Sequence, residues 1–182
     1  MKVMIKNFFI LLIISILPIN AFALIEVDIT RGNLNPLPLA VSPLSIDNKS
    51  KKSFEKILKK ENIGIEISII VENNLRTSGL FNPLSKDAFL QAPDIANLKP
   101  RFEDWNLIKA QALITGKVTY VNEKLRVEFR LWDILAGKEM MALAFTTVPD
   151  NWRRVGHIIS DKVYERLTGE KGYFDTRIIY VS

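Results

Sequence analysis

A chain of 182 residues with a formal charge of +5, no cysteine and one histidine has room for one domain and a short appendage. The missing thiols exclude a disulfide framework and a thiolate metal site, and a single imidazole cannot supply a zinc centre built on several histidines. The charge is too mild to argue for a nucleic-acid partner, which presents a dense basic face.

Met1 to Ala23 reads as a secretory leader, with Lys2 and Lys6 as the positive start, Phe8 to Leu17 as the apolar run and Ala21-Phe22-Ala23 as the small-x-small cleavage site. The apolar run of about ten residues is shorter than the ~20 a spanning helix needs. The expectation is export, cleavage after Ala23 and a soluble state outside the cytoplasm. No cysteine follows the cut, so a lipid anchor on a new N-terminal cysteine is excluded.

After Leu24, apolar Ile25, Val27 and Ile29 alternate with Glu26 and Asp28 as far as Thr30, and the pattern stops at Arg31-Gly32-Asn33. By itself this is either an edge strand of the domain or a detachable strand that pairs with the sheet of another protein. Pro36, Pro38 and Pro43 then bracket Leu37, Leu39 and Val41, the mark of a short strand near a sheet edge or at its start.

From Asn48 to Glu61, lysines 49, 51, 52, 56, 59 and 60 stand against Glu55 and Glu61. Such a run reads as a solvated helical face, with attraction to an anionic lipid surface as the minor alternative. Phe54, Ile57 and Leu58 give it a modest apolar side. Ile63, Ile67, Ile70, Val71 and Leu75 keep helical spacing and predict a helix over 62–77, stopped by Gly79. Leu80-Phe81-Asn82-Pro83 leaves it abruptly, and Pro93 and Pro100 mark a loop. A short helix over 101–110 carries Phe102, Trp105 and Ile108 on one side, read as core rather than as a ligand platform.

The segment from Ala112 to Phe145 reads as three strands. In Leu125-Arg126-Val127-Glu128-Phe129-Arg130-Leu131 the apolar residues take every second place, which gives a strand one dry face. Asn122-Glu123-Lys124 and the run from Asp133 to Lys138 supply the two reversals of an antiparallel meander. The expected cover is the next helix, with Asp150 as its N-cap, Val155, Ile159, Val163 and Leu167 as its stripe, and Gly169 as a left-handed C-cap. Burying those four side chains contributes roughly 1.5 to 3 kcal/mol each before entropy is subtracted.

Little chemistry stands out. His157 and Asp161 lie four apart on that helix and are within reach of a surface hydrogen bond, but no G-x-S-x-G element supplies a nucleophile. Gly169-Glu170-Lys171-Gly172 lacks the Lys-Ser/Thr of a phosphate loop and reads as a flexible linker. No acid pair is distinguished from ordinary surface charge, and nothing calls for a cofactor. Phe174 to Val181 begins a new alternating strand, and an unpaired last strand leads to the expectation that more chain once followed.

The run from His157 to Val181 closely resembles the TolB family of the periplasmic Tol-Pal system. Ser78-Gly79-Leu80-Phe81-Asn82-Pro83, Trp105 followed by Leu113 to Val118, Leu131-Trp132-Asp133, and Ile25 to Gly32 with Pro36 to Val41 fit as well. The resemblance implies an α/β (α+β) fold, a mixed sheet with helices similar to the anticodon-binding domains of some aminoacyl-tRNA synthetases, followed in the family by a β-propeller. It implies a non-enzymatic role linking the lipoprotein Pal to the inner-membrane protein TolA, in support of outer-membrane integrity and division. The short mature N-terminus of the family binds TolA, which carries over to Leu24 through about Asn35 and favours the strand-addition reading.

The implied division is a leader over 1–23, a strap over 24–36, the domain over 37–169, and a linker with the first propeller strand over 170–182. The sequence given stops at Ser182, short of the residues that would form the family's propeller, so Pal and colicin recognition are not carried over onto it, and a truncated fragment is one alternative. A nucleic-acid module, prompted by the fold analogy and lysines 49 to 60, and a hydrolase using His157 are the others.

Overall fold

The computed structural model describes residues 35–176. Its strands are β1 (Leu37–Val41), β2 (Ser45–Ile46), β3 (Phe81–Pro83), β4 (Ala112–Val121), β5 (Lys124–Asp133) and β6 (Lys138–Thr147). Its helices are α1 (Asn48–Leu58), α2 (Ile63–Thr77), α3 (Pro93–Leu98), α4 (Phe102–Leu107) and α5 (Trp152–Thr168).

The strands form one mixed sheet in the order β3-β1-β4-β5-β6, with β2 also paired to β4. β1 runs parallel to both β3 and β4, β2 runs parallel to β4, and β4, β5 and β6 form the antiparallel meander. The meander follows from its sequence: the positive φ of Asn122 and Glu123 makes a tight reversal, and Gly137 takes φ +62° in the next. Gly116, opposite Phe129 in the register, is needed because a Cβ there would strike the Glu128 carbonyl and the Leu44 side chain.

The alternation of β1 divides two cores. Leu37, Leu39 and Val41 join the main core with Ile114, Val127, Phe129 and the stripes of α2 and α5, while Ala40 faces a smaller core around Trp105, Leu113 and Trp132. Most of the predicted stripes bury as spaced: Ile63, Ile67, Val71 and Leu75 on α2, and Val155, Ile159, Val163 and Leu167 on α5, are all 3 % exposed or less, while Ile70, also expected on the α2 stripe, is half-buried at its margin. The two helices approach closely because Gly156 has no side chain where a Cβ would meet Ile70.

Four local expectations change. Asp150 does not cap α5; it sits in a 3₁₀ turn, Pro149–Asn151, and Asn151 takes the cap position without a side-chain bond to the helix. The Asn151 amide is turned back instead to the Thr147 hydroxyl. The loop expected at Pro93 contains α3, which proline can open because its missing N–H belongs to the first turn, where no helical partner exists. Phe81–Pro83, read only as an abrupt exit, pairs with β1 as the sheet's edge, so β1 lies one strand in. On α1, Phe54 is fully buried whereas Ile57 is 46 % exposed, so one aromatic carries most of that helix's attachment.

Candidate functional site

Ala23, the expected cleavage site, and the expected partner-binding residues Leu24, Ile25, Glu26, Val27, Asp28, Ile29, Thr30, Arg31 and Gly32 lie outside the described residues. What the structure shows is the root of that segment. The Leu37 N–H donates to the Leu80 carbonyl at 2.9 Å and the Leu37 side chain is buried, so the chain is pinned to the sheet from Leu37 onward.

The histidine cluster is arranged for structure. The Asn74 amide of α2 donates to His157 Nδ1 and to the Ser160 hydroxyl, each at 2.9 Å, and that hydroxyl donates to the Gly156 carbonyl. Ser160 is completely buried and its proton is committed to a backbone oxygen, the opposite of an activated nucleophile. The bond expected between His157 and Asp161 is replaced on both sides. His157 turns to Asn74, and Asp161 accepts the N–H groups of Phe174 and Asp175 at 2.7 and 3.1 Å.

That carboxylate organises the end of the described chain. Gly169 closes α5 with φ 75° and its N–H on the Glu165 carbonyl, as its place in the sequence predicts. The chain then doubles back. Gly172 lies so close to Asp161 that a side chain would collide with it, and Arg154 grips Asp175 through Nε and Nη2 at 3.1 Å. Tyr173 and Phe174 both meet Tyr164 edge-on, and Tyr164 meets Phe81 on the edge strand. The segment expected to be a free linker is therefore held to α5 as far as Asp175. The strand expected from Phe174 has no pairing up to Thr176, and 177–182 lie outside the described residues.

The lysine run is a helical face, as expected, with part of its charge answered locally. Lys51 pairs with Glu61 at 3.6 Å, and Lys60 pairs with Glu66 at 2.7 Å while lying over the Trp152 ring. Lys52, Lys56 and Lys59 share a shallow bowl with Glu55 and Glu61, so the face is mixed in sign.

Two buried polar groups had no signal in the sequence. The Gln91 side-chain oxygen accepts from Trp105 Nε1 at 2.9 Å and from the Arg101 N–H at 3.0 Å, holding α4 in place. Ser68 accepts the Leu44 N–H and so ties α2 to the turn between β1 and β2. A polar residue inside an apolar helical pattern looks like any solvent-facing residue until its partner is known.

These features define a small mixed α/β domain with helices on both sheet faces and both ends of the described chain fixed by named contacts. A family model described as the TolB amino-terminal domain matches residues 25–140. The chain belongs to that family. It is 83 % identical over 179 residues to the Tol-Pal system protein TolB of Pelagibacter ubique (strain HTCC1062), covering 98 % of this chain and 40 % of the relative. The chain thus spans less than half the length of that relative. The crystal structure of TolB from Acinetobacter baumannii matches 77 % of this chain and 30 % of its own, with a TM-score of 0.61 at 23 % identity, which shows the shared fold.

Proposed function

We propose that the chain is a non-enzymatic interaction protein of the Tol-Pal cell-envelope system, exported to the periplasm by cleavage after Ala23. Its segment from Leu24 to Asn35 contacts TolA by adding a strand to TolA's sheet, in support of outer-membrane integrity and cell division. The observation that carries this reading is the match to a Tol-Pal system protein over 98 % of the chain, together with family membership that begins at Ile25 and so takes in the strap. The alternation of Ile25, Val27 and Ile29 with Glu26 and Asp28 supports the mode, because an added strand gains main-chain bonds while one row of side chains fills apolar ground. The fixed root at Leu37 supports the division into a strap over 24–36 and a domain over 37–169. Residues 170–182 are then the linker and first strand of a propeller that the given sequence does not include, and contact with Pal is expected only where that propeller is present.

No helix among the described residues is long and apolar enough to cross a membrane. The test is a pull-down with the C-terminal domain of TolA. Deleting Leu24–Asn35 abolishes capture while circular dichroism of the remaining domain is unchanged; undiminished capture rejects the strap.

A further inference from the structure

The two sides of α1 are unlike. Ser50 and Phe54 are buried, with Phe54 edge-on to Tyr120 of β4. At about 100° per residue the direction away from them falls to Lys49, Lys52 and Lys56, all exposed, and Lys59 continues the row as the C-cap. Neighbours in this row are three or four positions apart, so each lysine meets another where an exposed helix gains from an opposite charge. The first turn holds no acid, and Lys49 stands at the end where the helix dipole disfavours a cation. The stability of the helix itself therefore does not explain the row. Its charges are also left free. Arg76, Arg101, Arg126, Arg130 and Arg154 each meet a carboxylate at 3.2 Å or less, whereas in the lysine run only Lys51 and Lys60 are in ion pairs among the described residues.

We propose that this row docks the domain on a membrane of anionic phospholipid, with Lys49, Lys52, Lys56 and Lys59 on the headgroups. The acids nearby lie off the row. Asp47 is held in its cap, Glu61 pairs with Lys51 at 3.6 Å, and Asp150 belongs to the 3₁₀ turn that packs beside α1. Glu55 is turned roughly 90° round the helix from the middle of the row. On the opposite flank stands Ile57, 46 % exposed, and an open aliphatic side chain beside a line of cations is the pattern of a helix that lies on a lipid interface. Past the C-terminal end of the row, Arg153 lies 4.4 Å over the Trp152 ring, which Lys60 also covers, and so adds a further cation there. The row stands on an outward helix face with only a shallow bowl beside it, a shape that fits a surface and not an enclosed small molecule. Lysines are compact charges on flexible stems and follow a plane of mobile phosphates, whereas fixed recognition of one phosphate favours the fork of arginine. Such docking belongs to the domain's own surface and does not depend on which partner the strap finds.

Co-sedimentation of the full chain, purified as the cell processes it, with phospholipid vesicles tests the proposal. At about 0.1 M salt, where screening acts within about 10 Å, the chain binds vesicles of phosphatidylcholine and phosphatidylglycerol in equal parts, does not bind phosphatidylcholine alone, and is released as salt is raised. A basic residue near such a surface strengthens binding about fivefold, so Lys52→Gln with Lys56→Gln lowers the partition constant roughly 25-fold. Lys99→Gln with Lys109→Gln, beside the smaller core on the opposite face of the sheet, leaves it nearly unchanged, and Glu55→Gln raises it. Failure of the unaltered chain to bind the mixed vesicles, or equal binding to both kinds, overturns the proposal and leaves an ordinary solvated face. Equal losses in the two double variants overturn it as well, because net charge alone then drives binding. Should the Lys52 and Lys56 double variant unfold, Glu55→Gln decides, since it keeps the row intact: binding no tighter than that of the unaltered chain overturns the proposal.

Discussion

The Asp47 carboxylate accepts the Ser50 N–H at 2.9 Å and the Ser50 hydroxyl at 2.8 Å, and that hydroxyl accepts the Tyr120 N–H of β4. One acid thus caps α1 and, through a serine, fastens the helix to the sheet. Hydrogen bonds from Ser50, its backbone N–H first, hold the Asp47 carboxyl below its ordinary value. A group whose pKa is depressed on folding gives its full stabilisation above the unfolded value and loses it as pH falls through the lower, folded one. Asp47→Ala is expected to cost about 1 kcal/mol at neutral pH, the usual worth of such a cap, and less once the carboxyl is protonated in both the folded and the unfolded chain. Asp47→Asn keeps the cap and flattens that acid dependence. Urea unfolding of the three proteins across the acid range checks both statements. Glu72 shows the balance elsewhere: burial works against its charge, but hydrogen bonds from Arg76 and Lys86 prevail and its carboxyl is also lowered. The link from Asp47 to Tyr120, 73 positions away, cannot be read from the sequence, because nothing local specifies it.

Among the elements, α5 has the most to hold. Its predicted stripe packs on the sheet, Gly156 admits α2, and its outer side receives the returning chain through Asp161, Tyr164 and Arg154. A charge-assisted hydrogen bond contributes about 1.5 to 3 kcal/mol. Removing the acceptor with Asp161→Ala is therefore expected to speed hydrogen exchange at the Phe174 and Asp175 amides roughly ten- to hundredfold. Exchange on β4 and β5 stays as it was; equal protection of the two amides in the variant would show that the aromatic contacts alone hold the segment. The stripe of α5 is legible because its period is that of the helix. The fold-back of Gly169–Asp175 is not, since a polar run between two glycines has the same composition whether it is free or fastened to its own helix.

At the scale of the molecule, the two cores share the strands β1, β4 and β5, with Leu39 and Ala40 pointing into different ones from adjacent positions. Neither can come apart without breaking the sheet that walls the other. Unfolding is thus expected to be a single transition, with the fluorescence of Trp105 in the smaller core coinciding with that of Trp152 in the main one when each is the only tryptophan left. Separate midpoints would divide the domain in two. The residue pattern by itself determined the meander, the paired stripes of α2 and α5, the buried side of Trp105 and the glycine that ends α5, because each depends on a repeat or a turn within a few residues of itself. Only the tertiary structure decided the parallel pairing of β1 with β3 and β4, the helix at Pro93, the roles of Asn74, Gln91 and Asp161, and which strands stand at the two edges of the sheet among the described residues. Those depend on partners far apart in the chain, and a hydrogen bond or an edge exists only once the surrounding elements have chosen their places.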